Sequence, residues 1–238
     1  MTTVVISQPM LFPWIGLFEQ IRLANVYVHY IDVQFSKGSF TNRVQVKTTA
    51  GIDWLTVPVR HEKLGMEIRH TRINPVQPWQ RKHLQTLRQA YARAPYAADM
   101  LALVESVYAH RDDTIAALAI RGIEAVCAYF GLAAGRRFLQ SSELETGGSG
   151  SERVLAIVQR LGGSVYVTGH GALNYLQHGL FEQKGIEVRY MDYAKNPYPQ
   201  LHGAFTPYVT ILDLIANAGP GGRDFINSGT KNWREFVQ

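Results

Sequence analysis

Cysteine is nearly absent from this chain. Cys127 is the single one in 238 residues, so no intramolecular disulfide can form. It follows Ile123 and Val126 at helical spacing, which reads as burial on an apolar face rather than nucleophilic chemistry. Long apolar runs are missing, and none approaches membrane-spanning length. Met1-Thr2-Thr3 places no basic stretch ahead of an apolar one, so no signal peptide is expected and the expected location is the cytoplasm. No five basic residues stand in a row and no zinc knuckle occurs, which argues against sequence-specific nucleic-acid binding. His29, His61, His70, His110 and His178 are scattered, without spacing of the His-Glu-x-x-His kind, so no metal is expected. Gly-x-Ser-x-Gly and Walker motifs are absent.

What is present suits an α/β protein. Hydrophobic residues make up 46% of the chain, enough for an ordinary core. The net charge of +5 is uneven. Residues 1–96 hold twelve Lys/Arg against five Asp/Glu, and residues 97–238 hold twelve against fourteen. A basic first half fits a small anionic ligand such as a nucleotide, sugar nucleotide or RNA, but also fits a solvated basic face.

Short β-branched runs predict strands at Val4–Ile6, Val26–Ile31, Ile52–Val59, Glu67–Ile73, Val165–Val167 and Ile186–Tyr190. Helical spacing predicts helices over Pro13–Ala24, Trp79–Arg93, a span capped by Asp112 or Asp113 and ending at Phe130, and one from Ser151 or Glu152 to Gly162. Shorter helices are expected at Ala172–Leu176 and Leu180–Lys184. The alternation predicts a mostly parallel, doubly wound, Rossmann-like sheet in a single α/β domain over residues 1–238, with a helical insert at about 79–130. Glycine and serine cluster at 141–150, which reads as a flexible loop.

Chemistry-bearing side chains gather where strands end, the usual place for a site in a parallel sheet. Gln8 follows the first strand and could hold a ligand or satisfy its own Pro-rich turn. Asp32 and Gln34 follow the second, with Lys37, Asn42, Arg43 and Lys47 close behind. One carboxylate among cations could orient an amine and neutralise a phosphate, or the segment could be an exposed hairpin. Lys82 and His83 begin a helix, and a His beside cations suits a neutral base near pH 7, though such a His often faces solvent. Gly169-His170-Gly171 lies between strand and helix, where backbone N–H groups can meet an anion, or simply turn the chain. Tyr198, Gln200 and His202 occupy a long Pro-rich loop.

Several clusters resemble the WbqC-like protein family of bacterial O-antigen and surface-polysaccharide gene clusters. In the first half these are Gln8-Pro9 with Pro13-Trp14-Ile15-Gly16, Asp32-Val33-Gln34-Phe35-Ser36-Lys37 with Asn42-Arg43, Trp54 to Val59, and Trp79-Gln80-Arg81-Lys82-His83 with Tyr91. In the second they are Gly169-His170-Gly171-Ala172, Tyr198-Pro199-Gln200, Phe205-Thr206-Pro207 and Asn217-Ala218-Gly219-Pro220. The resemblance implies glycan assembly, with glycine (aminoacyl) transfer as the activity. On that reading Asp32 and His83 would be catalytic. Gln8, Gln34, Lys37, Asn42, Arg43, Lys82, Tyr198 and His202 would bind the substrate, and Gly169, His170 and Gly171 a phosphate. The substrate would be a sugar nucleotide or an activated aminoacyl donor. The order of strand, Pro-rich loop and helix also resembles nucleotidyltransferases and pantothenate-synthetase-type ligases, which would use ATP. Their His-x-Gly-His motif would fall at Trp14-Ile15-Gly16-Leu17, where both histidines are missing. An ATP-dependent ligase and a non-catalytic sugar-nucleotide-binding protein are therefore the rival readings.

Overall fold

A computed structural model describes residues 1–60, 65–76 and 78–237. Its centre is a six-stranded sheet in the order β5-β2-β1-β6-β7-β8. The strands are β1 (Thr3–Ser7), β2 (Val26–His29), β5 (Arg137–Gln140), β6 (Val165–Thr168), β7 (Glu187–Asp192) and β8 (Gly229–Asn232). All neighbours run parallel except β8, which pairs antiparallel with β7. A separate antiparallel hairpin joins β3 (Arg43–Thr48) to β4 (Gly51–Thr56). The sheet is thus α/β and mostly parallel, as the strand–helix alternation predicts.

Both faces of the sheet are buried, which parallel strands require. Along β1, Val5 packs into one core and Val4 and Ile6 into the other, because successive side chains point to opposite faces. The first core takes α1 (Ile15–Leu23), α3 (Ala97–Ala109), α4 (Ile115–Tyr129) and α7 (Ile211–Ala218). The second takes α5 (Gly150–Arg160) and α6 (His178–Glu182). Among the described residues no helix is long and apolar enough to cross a membrane.

Helix boundaries follow local chemistry. Thr114, rather than Asp112 or Asp113, caps α4, its hydroxyl accepting from the Ala117 N–H at 3.3 Å. The insert is three helices: α2 (Trp79–Ala90), then α3, then α4. Helix α3 adds to the expected elements, and its buried Met100, Leu103, Val104 and Val107 recur at helical spacing, so the signal for it was in the sequence. The expected strand Glu67–Ile73 is instead a single 3-10 turn, Ile68–His70, flanked by isolated bridges to Gln34, Val59 and Thr114. Its β-branched residues satisfy their backbone against three different segments, so no continuous ladder forms. Ala172–Leu176, expected as a helix, begins as the 3-10 turn His170–Asn174. The 141–150 segment is not uniformly loose: Ser141–Glu143 form a 3-10 turn and Ser141 is fully buried. His61 lies outside the described residues.

Candidate functional site

From β1 the chain crosses to β2 on one side, and it later returns to place β6 on the other. The carboxyl ends of β1 and β6 therefore flank the point where the winding reverses, where open α/β sheets leave a crevice. A cleft of about 570 Å³ opens there. Ser7 and Gln8 line it from β1, Thr168, Gly169 and Gly171 from β6, and Tyr30, Ser39, Phe40 and Thr41 from the segment after β2.

A feature read as a loose loop belongs to this cleft. Gly147-Gly148-Ser149-Gly150 leads directly into α5, and Gly150 lines the cavity. Gly148 has φ of +87° and Gly150 +52°, where side chains are rarely tolerated. The first N–H groups of α5 have no partner inside the helix, and the Ser149 side chain does not cap them. Such an end attracts anions through those donors and the helix dipole. Glycines followed at once by an amphipathic helix were the available signal. Other lining groups that were not candidates from the sequence include Gln20, Tyr30, Ser39, Phe40, Thr41 and Thr168. Gln20 is buried and donates to the Tyr193 hydroxyl at 2.8 Å.

Asp32 stands behind the cleft wall rather than in it. The Ser141 hydroxyl donates to one carboxylate oxygen and the Arg153 guanidinium to the other, while Arg153 Nη1 also donates to the Asp32 carbonyl at 3.2 Å. Burial alone would raise the Asp32 pKa, but Ser141 and Arg153 outweigh it and hold the carboxyl below its usual value. A carboxylate so held is a poor general base. Its evident effect is to fix Arg153, whose guanidinium lies 5.4 Å from the centre of the Tyr30 ring.

His83 is also placed differently from expectation. Trp79, His83, Leu87 and Ala90 form the buried stripe of α2, so the histidine faces the core. Its Nε2 lies 3.1 Å from the Thr56 carbonyl, which can only accept, so Nε2 carries the proton. Nδ1 then accepts from the Tyr108 hydroxyl at 2.9 Å. Burial pushes its pKa down to about 4, against a smaller opposing pull from the Thr56 carbonyl. The folded pKa lies below the unfolded one, so the unfolded chain takes up this proton first on acidification. Stability should therefore fall by roughly 3 kcal/mol between about pH 6.5 and pH 4 on account of this one group. Urea unfolding of wild type and His83→Leu across that range checks it. The variant's curve should lack this component, and parallel curves would refute the assignment.

The remaining candidates divide. Gln8, Gly169 and Gly171 line the cleft. His170 is anchored instead, its Nε2 2.7 Å from the Met191 carbonyl. Asn42 is buried and donates to the Val57 carbonyl at 2.9 Å, pinning two chain segments. Arg43 lies over the Trp54 ring at 4.2 Å. Gln34, Lys37 and Lys82 are exposed, Lys82 on the solvent side of α2. His202 contacts the Ala90 carbonyl at the end of α2, at 2.6 Å. Tyr198 and Lys47 belong to a buried network around Asp213, with Tyr198 donating to its carboxylate and Lys47 to Gln200 Oε1. The cation-rich segment after β2 thus presents Ser39, Phe40 and Thr41 to the cleft, while Asn42, Arg43 and Lys47 serve the hairpin. Strand alternation and the hairpin's own packing decide which residues face inward.

Comparison with known proteins places the chain. It is 31% identical over 229 residues to the uncharacterized protein Rv1507c of Mycobacterium tuberculosis, covering 95% of this chain and 98% of that one. No solved structure matches it significantly. The WbqC-like family model matches residues 8–224, a span that takes in the cleft from Gln8 to Tyr175 and the buried network at Asp213, and the chain belongs to the WbqC-like protein family.

Proposed function

We propose that this chain is a transferase of bacterial surface-glycan (O-antigen) assembly that moves a glycyl or related aminoacyl group onto an amine of a sugar or sugar-linked acceptor. Its small anionic substrate, a sugar nucleotide or activated aminoacyl donor, sits in the cleft between β1 and β6. The observation that carries this reading is the lining of that cleft: neutral amides and hydroxyls, the rings of Tyr30 and Tyr175, and the glycine-flanked start of α5. Aromatic faces suit a base or sugar ring, and helix N–H groups suit a phosphate.

Amide formation from an activated acyl group needs little from the protein beyond placement. The acceptor amine's lone pair attacks the carbonyl carbon and a tetrahedral oxyanion forms. The leaving group departs with the bonding electrons, and the amine loses a proton to solvent. Holding the two reactants together and donating hydrogen bonds to the oxyanion accelerate this. Gln8 and Thr41 are among the side-chain donors that line the cleft, with the hydroxyls of Ser39 and Thr168 beside them. Asp32 acts by orienting Arg153 beside Tyr30, and no proton transfer is assigned to it or to His83.

A second reading is favoured by one observation. Among the described residues lining the cleft there is no carboxylate, histidine, cysteine or lysine. A non-catalytic sugar-nucleotide-binding protein would have such a lining.

Calorimetric titration with sugar nucleotides, ATP and a non-hydrolysable aminoacyl-adenylate analogue tests the site. A Cβ at Gly171 meets nothing within 4 Å, so Gly171→Val should fold normally while projecting into the cleft. It should weaken binding by about tenfold or more, and Gln8→Ala by about fivefold through one lost hydrogen bond. Wild-type affinity in both folded variants overturns the site. Mass spectrometry for an amide product then separates the readings. Product supports transfer, pyrophosphate or ADP release points to ligation, and tight binding without turnover points to a binding protein.

A further inference from the structure

Next to the main cleft lies a smaller cavity of about 140 Å³. Its walls include Met10, Pro13, Trp14, Phe40, Val44 and Tyr208. Met10 and Phe40 line both cavities, so the two share a wall. The contrast in chemistry is sharp. The main cleft offers amides, hydroxyls and backbone donors, whereas the smaller cavity is lined by aliphatic and aromatic groups.

We propose that the smaller cavity is a subsite for an apolar group of ring size carried by the same anionic ligand whose polar part occupies the main cleft. This deepens the reading above and rests on the main cleft holding the anion. Three observations support it. First, an apolar cavity of ~150 Å³ takes up a benzene-sized molecule, which matches the volume here. A nucleobase or sugar is the wrong occupant, because its polar edges would lose their hydrogen bonds in such walls. Second, cations lie against one of its aromatic walls or one ring removed from another. Lys195 Nζ lies 5.2 Å from the Tyr208 ring centre, and Arg43 covers Trp54, whose ring is 5.7 Å from Phe40. A ligand that is apolar at one end and anionic at the other finds both chemistries on the two sides of the shared wall. Third, Phe40 and Tyr208 are about half exposed although both are large and apolar or aromatic. Large apolar groups left open beside a cavity mark a binding site more often than a bare surface.

The walls are held in place independently of any ligand. The Leu11 N–H donates to the Phe40 carbonyl at 3.0 Å, joining the two loops that form the shared wall. Trp14 packs on Tyr193 and Tyr208, with ring centres at 4.8 and 5.7 Å. A Cβ at Gly16 would come within 2.3 Å of the Trp14 ring, so glycine at that position lets the indole lie against α1. The subsite is therefore preformed.

The test uses three probes: inorganic phosphate, phenyl phosphate and p-cresol, a neutral ring. Binding to the whole chain is followed by calorimetry and by the ¹³C-methyl resonance of Met10, identified by its loss in Met10→Leu. Wild type should bind phenyl phosphate about tenfold tighter than inorganic phosphate, and p-cresol should shift the Met10 methyl. Tyr208→Ala removes an exposed wall without emptying a core position. It should abolish the preference and the p-cresol shift while leaving inorganic phosphate binding unchanged. Gly171→Val should do the reverse, weakening both phosphates but sparing the p-cresol shift. Equal affinity for the two phosphates, or a preference that survives Tyr208→Ala, overturns the subsite. No phosphate binding together with a Tyr208-dependent p-cresol shift overturns the anionic reading of the main cleft and keeps the apolar subsite. Absence of the p-cresol shift in wild type overturns the subsite whatever the phosphates do.

Discussion

Asp213→Ala should lower stability by about 3–5 kcal/mol, enough to drop the melting temperature by roughly 10 °C in a chain of this size. Asp213 is fully buried near the start of α7. Its Oδ1 accepts from the Tyr91 hydroxyl at 3.0 Å, and its Oδ2 from the Tyr198 hydroxyl at 2.9 Å, Gln200 Nε2 at 2.8 Å and Asn217 Nδ2 at 3.3 Å. Burial pushes its carboxyl pKa up, and these donors pull the other way. The network continues outward, since Lys47 Nζ donates to Gln200 Oε1 at 2.8 Å and to the Ala204 carbonyl at 2.6 Å. One carboxylate thus ties β3, the end of α2, α7 and the loop from Tyr198 to Thr206. Removing it strands the Tyr91 and Tyr198 hydroxyls in a dry site at the cost of their lost solvation, whereas Gln200 Nε2 keeps the Thr206 carbonyl and Asn217 Nδ2 the Asp213 carbonyl. Asp213→Asn keeps the shape but turns one acceptor into a donor facing donors, so an intermediate loss is expected. Differential scanning calorimetry decides, and a change under about 1 kcal/mol in the alanine variant would contradict the account.

Gly219→Ala should cost about 3 kcal/mol or more, whereas Gly171→Ala should be nearly neutral. Gly219 has φ of +57° and ψ of −146°, a region that residues with a Cβ essentially avoid. A Cβ there would also come within 2.5 Å of the Tyr96 ring. The overlap reaches the root of that ring, its Cγ included, so the ring must swing to another rotamer or the backbone, held by the Tyr96 N–H donating to the Ala216 carbonyl at 2.9 Å, must shift. Strain and overlap therefore add. Gly171 has neither, its would-be Cβ meeting open space. Paired urea titrations of the two alanine variants check the contrast, and equal stability in both would refute it.

The sheet was legible because parallel strands buried on both faces leave dense β-branched runs, as at Val4–Ile6 and Val165–Val167. The edge strands were harder to read. Arg137–Gln140 and Gly229–Asn232 are short, the second without an apolar residue, and each pairs along an edge that its neighbour offers. Nothing local marks them, since pairing is a property of the partner as much as of the segment. Asp113 and Thr114 show a similar limit: both are capping types, and only the helix's entry geometry selects Thr114.

For the site, the sequence by itself determined where to look and which residue types were at hand. Gln8, Gly169 and Gly171 lie just past apolar strands, and a parallel sheet brings such ends to one edge. Only the tertiary structure decided which neighbours turn inward. His83 is one residue from Lys82, yet a helix rotates about 100° per residue, so one enters the core and the other meets solvent. Asp32 is ordinary in sequence, and Ser141 and Arg153, 109 and 121 residues away, tie up its carboxylate. The glycines at 147–150 read as slack until the start of α5, at Gly150, is seen to line the cleft. Spacing along a chain is a local quantity, whereas facing, burial and charge pairing are set by segments far apart in sequence.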